Sequence, residues 1–496
     1  VETVAFVLLA LTLLWLLRAA MNFTNPEFAA FLVVTFCGYY LCSTAGRQVA
    51  LLLAASLVFY AWSDPSLTLL LLLSATITCS SAYAIGVFCE TGRRTLPLAI
   101  AGVVANLGVL AFYKYSGLLA SGMAALFPST LSVAERLIRI PLPIGISFYT
   151  FHGISMIVDA YRRESGAQIR VGTSRAGAKA FLDFWKQGLL YVVFFPQLVA
   201  GPIVRSKEFL PQIGFKRWRD IPWRYVWETV LLGYFLKLVV ADNLHNQTFL
   251  IRAPYYADLP AERAWTMVFS YSIQIFADFA GYSLIAIGIA AMFGYKLPQN
   301  FNFPYLADSF SDFWRRWHIS LSTWLRDYLY LPLGGNRRGA ARTYLNLFLV
   351  MAIGGLWHGA ALSYLSWGIY HGVLLMTERF LAGPHPASGP PKRFRIVRIA
   401  GVFLAVSMGW VFFKLPTFSD AIAFLKLLFT GWSGRLPAWQ LCTVGFYVLP
   451  VVVWHFLHLT GWHRTRPWLR PVLSAAMVFL LLTNRGTSNA FIYFQF

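Results

Sequence analysis

Apolar stretches alternate with short polar ones along the whole chain of 496 residues. Residues 4–17, 66–79, 97–112 and 341–357 are examples. A helix needs about 20 mostly apolar residues to cross a hydrocarbon core of about 30 Å, so this pattern predicts an all-α membrane bundle with roughly eleven to thirteen crossings. No long polar stretch marks a separate soluble domain. Residues 21–483 are therefore expected to form one membrane domain, preceded by an extension (1–20) and followed by a tail (484–496). The extension is expected to be an extra membrane helix: Glu2 stands where a signal peptide would be basic, and no small-residue cleavage site follows. Met21 offers a second start.

Irregular polar backbone at membrane depth must line a cavity or be buried in protein. Three regions interrupt the apolar pattern in this way. Residues 141–162, "PLPIGISFYTFHGISMIVDAYR", carry two prolines, His152 and Asp159. Residues 194–205, "FFPQLVAGPIVR", place a Pro-Gln and a Gly-Pro close together. The third, from about residue 274 to 360, holds the candidate chemistry.

Within it, residues 309–331 predict an amphipathic surface helix. At about 100° per residue, Phe310, Phe313, Trp314, Trp317, Leu321, Trp324, Leu325 and Tyr328 share an arc of roughly 120°. Asp312, Arg315, Ser322 and Arg326 oppose them, and His318 lies near the border. Ser309 with Asp312 begins the helix, and Pro332 with Gly334–Gly335 ends it. Such a helix lies on the membrane, aromatics down and arginines toward water. A second helix runs inward from Arg342, and His358 falls about 24 Å along it. An ionisable residue at that depth is a functional candidate. Gly354, Gly355 and Gly359 around it leave room for something to approach.

Composition agrees with the pattern: 58% of residues are hydrophobic and 12% charged, against about 25% charged in soluble domains. The net charge of +21 is spread over many short loops, which marks cytoplasmic loops rather than a nucleic-acid surface. The five cysteines have no metal spacing and read as packing residues. His455 and His458 are three apart, as metal ligands can be, but no partner ligand is near in sequence, so no metal is expected. His152 and His371 are candidates for the cavity of His358. His245, His385 and His463 read as loop or interface residues. No internal repeat is visible.

The stretch "FNFPYLADSFSDFWRRWHISLSTWLRDYLYLPLGGNRRG" (301–339), with "GGLWHG" (354–359), resembles the membrane-bound O-acyltransferase (MBOAT) family. It is most similar to the bacterial branch that O-acetylates exported polysaccharides such as alginate. The likeness continues in 141–162, 194–205, "LKLVVADNL" (236–244) and "DFAGYS" (278–283). Leu284 and Ala280 depart from it, standing where relatives often have Asp and Ser.

This resemblance implies a bundle wrapped around a tunnel in the bacterial cytoplasmic (inner) membrane. Acetyl-CoA would enter from the cytoplasm as donor substrate, with no covalently bound cofactor. The acetyl group would leave on the far side, to a periplasmic acetyltransferase partner of the SGNH, serine-esterase-like type. That partner, beside a polysaccharide export or synthase complex, would decorate alginate, cellulose or a similar polymer. The family's invariant histidine maps onto His358, the expected base, since histidine changes charge near neutral pH. Its second polar position maps onto His318, expected to position the thioester or polarise its carbonyl. Arg315, Arg316, Trp317, Arg337 and Arg338 are expected on the acetyl-CoA side, although topology alone explains the arginines equally well. His152, Asp278 and Trp357 are expected to line the tunnel.

The chain ends in "FIYFQF" (491–496), which resembles a C-terminal tyrosine motif of this kind of acyl export. The loop 463–470 carries three arginines and is expected to be cytoplasmic, which puts the C-terminus outside. Ten residues from Thr483 to Tyr493 reach up to roughly 33 Å, enough for the tail to turn back into the tunnel mouth. Tyr493 is then expected to relay the acetyl group; the alternative is an aromatic anchor. The rival classes are a transporter or flippase of a polysaccharide or acyl precursor, using Asp242 and Asp278 at depth, and a scaffold of an export complex.

Overall fold

A computed structural model describes residues 21–62, 65–127, 129, 131–164, 178–199, 201–382, 394–434, 436–461, 466–487 and 491. Every regular element among them is helical. The extension 1–20 and Tyr493 lie outside the described residues. Among the described residues, six helices are long and apolar enough to cross a membrane, and three more, of 15–17 residues, are apolar but shorter. Some of the described apolar runs thus fold as helices shorter than a full span.

The chain forms two compact units. The first takes the described residues up to Val230 together with Ile285–Pro298. It holds α1 (Pro26–Leu41), α2 (Ala45–Ala61), α3 (Pro65–Glu90), α4 (Leu96–Leu126), α5 (Leu131–Ile138), α6 (Ile146–Tyr161) and α7 (Ala178–Val193). Most of both irregular segments predicted from its sequence is buried in protein, including 146–157 and 194–199, while Pro141, Ile144, Tyr161 and Arg162 are exposed. Gly145 starts α6 with φ +75°, and a Cβ there would meet the Leu198 carbonyl oxygen at 2.7 Å. Residues Phe194–Leu198 are wholly buried. His152 belongs to this unit: its Nε2 accepts from the Val204 N–H at 3.4 Å, and Tyr191 Oη donates to its carbonyl at 3.2 Å.

The helix α8 (Trp223–Tyr234) leads into the second unit, Leu231–Leu284 with the described residues from Gln299 onward. There the chain widens into a π turn, Phe235–Ala241, and returns to α-helix at Asp242–Thr248. Next comes α9 (Ala261–Met292), almost entirely buried along its length. The remaining helices are α10 (Phe310–Arg316), α11 (Ile319–Leu325), α12 (Ala340–His358), α13 (Leu362–Ala382), α14 (Arg395–Lys414), α15 (Phe418–Leu427), α16 (Ala438–Thr460) and α17 (Leu469–Thr483).

Between apolar helices in lipid, close packing rather than hydrophobicity drives association, and small residues allow it. Helices α12 and α13 use this device. A Cβ on Gly355 would sit 2.3 Å from the Tyr364 carbonyl oxygen, and one on Gly368 would sit 2.3 Å from that of Met351. A Cβ on Gly359 would strike the Tyr364 ring at 2.2 Å. The space that these glycines leave beside His358 is therefore filled by α13, not left open.

Candidate active site

The single amphipathic helix expected over 309–331 is broken in the middle. Its start is as predicted: Ser309 Oγ accepts from the Asp312 N–H at 3.1 Å, and Arg316 pairs with Asp312 at 2.7 Å. The Glu378 carboxylate adds a cap from α13, accepting from the N–H groups of Phe310 and Ser311. At Trp317 the backbone becomes extended, and at His318 it turns left-handed, φ 43° and ψ 53°. A non-glycine residue in that region costs of order 1 kcal/mol. Hydrogen bonds offset the strain: the Ile319 N–H donates to the Asn300 carbonyl at 2.9 Å, and the Ser322 N–H to that of His318 at 3.0 Å.

The break turns His318 from the border of a surface helix into the core, where its relative exposure is 0%. Its Nδ1 lies 3.0 Å from Asn300 Oδ1. Phe279 of α9 packs on the ring at 4.6 Å between centroids, edge to face. His358 stands at the last position of α12 with its ring centroid 6.4 Å from that of His318. Trp357 lies 6.1 Å from His318, and Trp367 and Phe413 box in His358 at 5.1 and 5.2 Å. Two buried imidazoles thus share one aromatic enclosure.

The chain beyond α17 returns to this place. The Gly486 N–H donates to the Leu238 carbonyl of the π turn at 2.9 Å, and Asn243 Nδ2 donates to the Asn484 carbonyl at 3.0 Å. Tyr447 Oη donates to Asn484 Oδ1 at 2.8 Å. Phe491, buried, stacks on Tyr282 at 4.3 Å and meets Phe279 at 5.8 Å. Phe279 thus touches both Phe491 and His318.

"Probable alginate O-acetylase AlgI" of Pseudomonas putida is 34% identical to this chain over 516 residues, which cover 96% of the chain and all of that protein. The description "MBOAT, membrane-bound O-acyltransferase family" matches residues 174–415. The chain belongs to the membrane-bound O-acyltransferase family. "Peptidoglycan O-acetyltransferase" of Helicobacter pylori is 34% identical over 82% of the chain and 79% of its own length. "Teichoic acid D-alanyltransferase" of Bacillus subtilis is 30% identical over 38% of the chain and 45% of its own length. The chain is thus a multi-pass membrane O-acyltransferase.

In this acyltransferase the other predicted site residues occupy different settings. Arg315, Arg337 and Arg338 are exposed, and Arg316 is held by Asp312. Trp317 is buried at 2% exposure against Trp410, with centroids 4.7 Å apart. Asp278 is ion-paired: Lys237 Nζ lies 2.7 Å from it and 2.8 Å from Asp242. His371 is buried among Trp314, Trp367 and Tyr370. His458 stacks on Phe303 at 3.7 Å, and His455 Nδ1 donates to the Val451 carbonyl at 2.8 Å.

Asn300, Lys237 and Phe279 were missed by sequence reasoning. Lys237 stands inside an apolar run five residues before Asp242, a visible signal. Only the wide turn, however, lets residues five apart face one another. Asn300 had no comparable signal, because its partners His318 and Ser320 are 18 and 20 residues away.

Proposed function

We propose that this acyltransferase takes an acetyl group from acetyl-CoA on the cytoplasmic side of a bacterial inner membrane and passes it outward for O-acylation of an exported polysaccharide. His318 and His358 form the catalytic pair, and Tyr493, on the far side, is the relay. The polymer reading is supported by relatives whose names refer to alginate, peptidoglycan and teichoic acid. The relay reading is supported by the seat of Phe491 one ring from His318. Tyr493 follows two residues later, about 7 Å of chain. In the transfer the tyrosine hydroxyl attacks the thioester carbonyl, an oxygen ester forms, and CoA leaves as thiol. The ester is then open to a nucleophile on a periplasmic acetyltransferase partner.

Exposed Arg315, Arg337 and Arg338 are suited to CoA phosphates, which arginine binds in a fork. Purified protein given isotope-labelled acetyl-CoA is expected to carry the label on its C-terminal peptide. Tyr493→Phe and His358→Ala remove that label. CoA release without label on Tyr493, together with a fully active Phe variant in cells, rejects the relay and leaves direct transfer to the partner.

A further inference from the structure

The amide of Asn300 is oriented by its neighbours. Its Oδ1 lies 3.3 Å from the Ser320 backbone N–H, a group that can only donate, and 2.9 Å from the Ser320 hydroxyl. Its Nδ2 donates to the Ser283 hydroxyl at 3.1 Å. The atom that faces His318 Nδ1 at 3.0 Å is therefore the oxygen. An amide oxygen only accepts, so Nδ1 is the protonated nitrogen of neutral His318 and Nε2 carries the lone pair. Both side chains are buried, Asn300 at 1% and His318 at 0% exposure, so water does not compete for Nδ1.

From this geometry we propose that Asn300 is a positioning residue that sets His318 as the proton acceptor of the transfer. The opposite role, polarising the thioester carbonyl, needs an N–H at Nε2. The proposal rests on the acyl-transfer reading given above. In the step, the acceptor hydroxyl oxygen bonds to the thioester carbonyl carbon while its proton passes to Nε2. When the carbon–sulfur bond breaks, that proton goes to the departing thiolate. Thioester and alcohol give ester and thiol, with no other reactant. Throughout, Nδ1–H stays on Asn300 Oδ1, whose partial negative charge stabilises the transient imidazolium. Phe279, the ring that packs on His318, also meets Phe491.

The test is ¹⁵N solid-state NMR of the full chain in lipid, with ring-labelled histidine and a His318→Gln spectrum subtracted to find the His318 signals. A pyrrole-type Nδ1 and a pyridine-type Nε2 are expected; the opposite tautomer overturns the proposal. Asn300→Asp keeps an oxygen opposite Nδ1 and is expected to retain the tautomer and turnover within about tenfold. Asn300→Leu is expected to lower kcat roughly 100-fold at unchanged donor KM, and normal turnover in that variant overturns the proposal. His318→Asn still accepts a hydrogen bond but cannot take up a proton, so sustained activity there also overturns it. None of these readouts needs Tyr493. A fully active Tyr493→Phe variant rejects the relay and leaves the assignment of His318 standing.

Discussion

At the scale of single residues, the burial of charge is the sharpest constraint. Lys237, Asp242 and Asp278 have 3%, 1% and 4% exposure and are joined by bonds of 2.7–2.8 Å. Removing one partner of a buried pair leaves an uncompensated charge, at a cost of about 3–5 kcal/mol. Lys237→Ala is expected to lower the thermal midpoint markedly in detergent. Lys237→Met combined with Asp242→Asn and Asp278→Asn should recover most of the loss. If Lys237→Ala melts like the parent, the triad is not what holds the π turn to α9. The sequence placed Asp242 and Asp278 at depth but gave no reason to join them. Gly281 permits the junction: a Cβ there would come within 2.9 Å of the Lys237 backbone nitrogen.

At the scale of elements, two devices position the site. The first is the α12–α13 contact that carries His358. Gly355→Val must push the two backbones apart, since the added Cβ alone overlaps the Tyr364 carbonyl. Protein that still inserts in the membrane but has lost CoA release is the expected result; full activity would mean that His358 tolerates the displacement. The second device is the seat of the tail. A Cβ on Gly486 would approach the Asn243 backbone nitrogen and the Asp242 carbonyl carbon at 2.9 Å. A cysteine pair at 282 and 491 should therefore cross-link in the parent and fail to do so with Gly486→Val. A persisting cross-link would show that residues 484–486 do not seat the tail. Periodicity located the helices but missed the break at Trp317–His318. The hydrophobic arc is continuous across it, and the left-handed turn is held by Asn300, eighteen residues upstream.

At the scale of the whole molecule, the distribution of positive charge predicts opposite sides for the arginine turn and the tail. A cysteine at 338 is expected to react with an impermeant thiol reagent only from the cytoplasmic face, and one at 485 only from the outer face. Labelling of both from one face would place the arginine turn and the tail on the same side and overturn this prediction; the swapped pattern would invert the proposed direction of transfer. By itself, the sequence determined that the protein is all-helical and built for lipid, which family it belongs to, and that His318 and His358 are its conspicuous histidines. These follow from composition, the length of apolar runs and local motifs, all legible along the chain. Only the tertiary structure decided that α13 fills the glycine space beside His358, that Trp317 is core, that Lys237 bridges two aspartates, and that Asn300 orients His318. Each of these depends on contacts between residues distant in sequence or on a local departure from helical period, and a one-dimensional pattern of polar and apolar positions encodes neither.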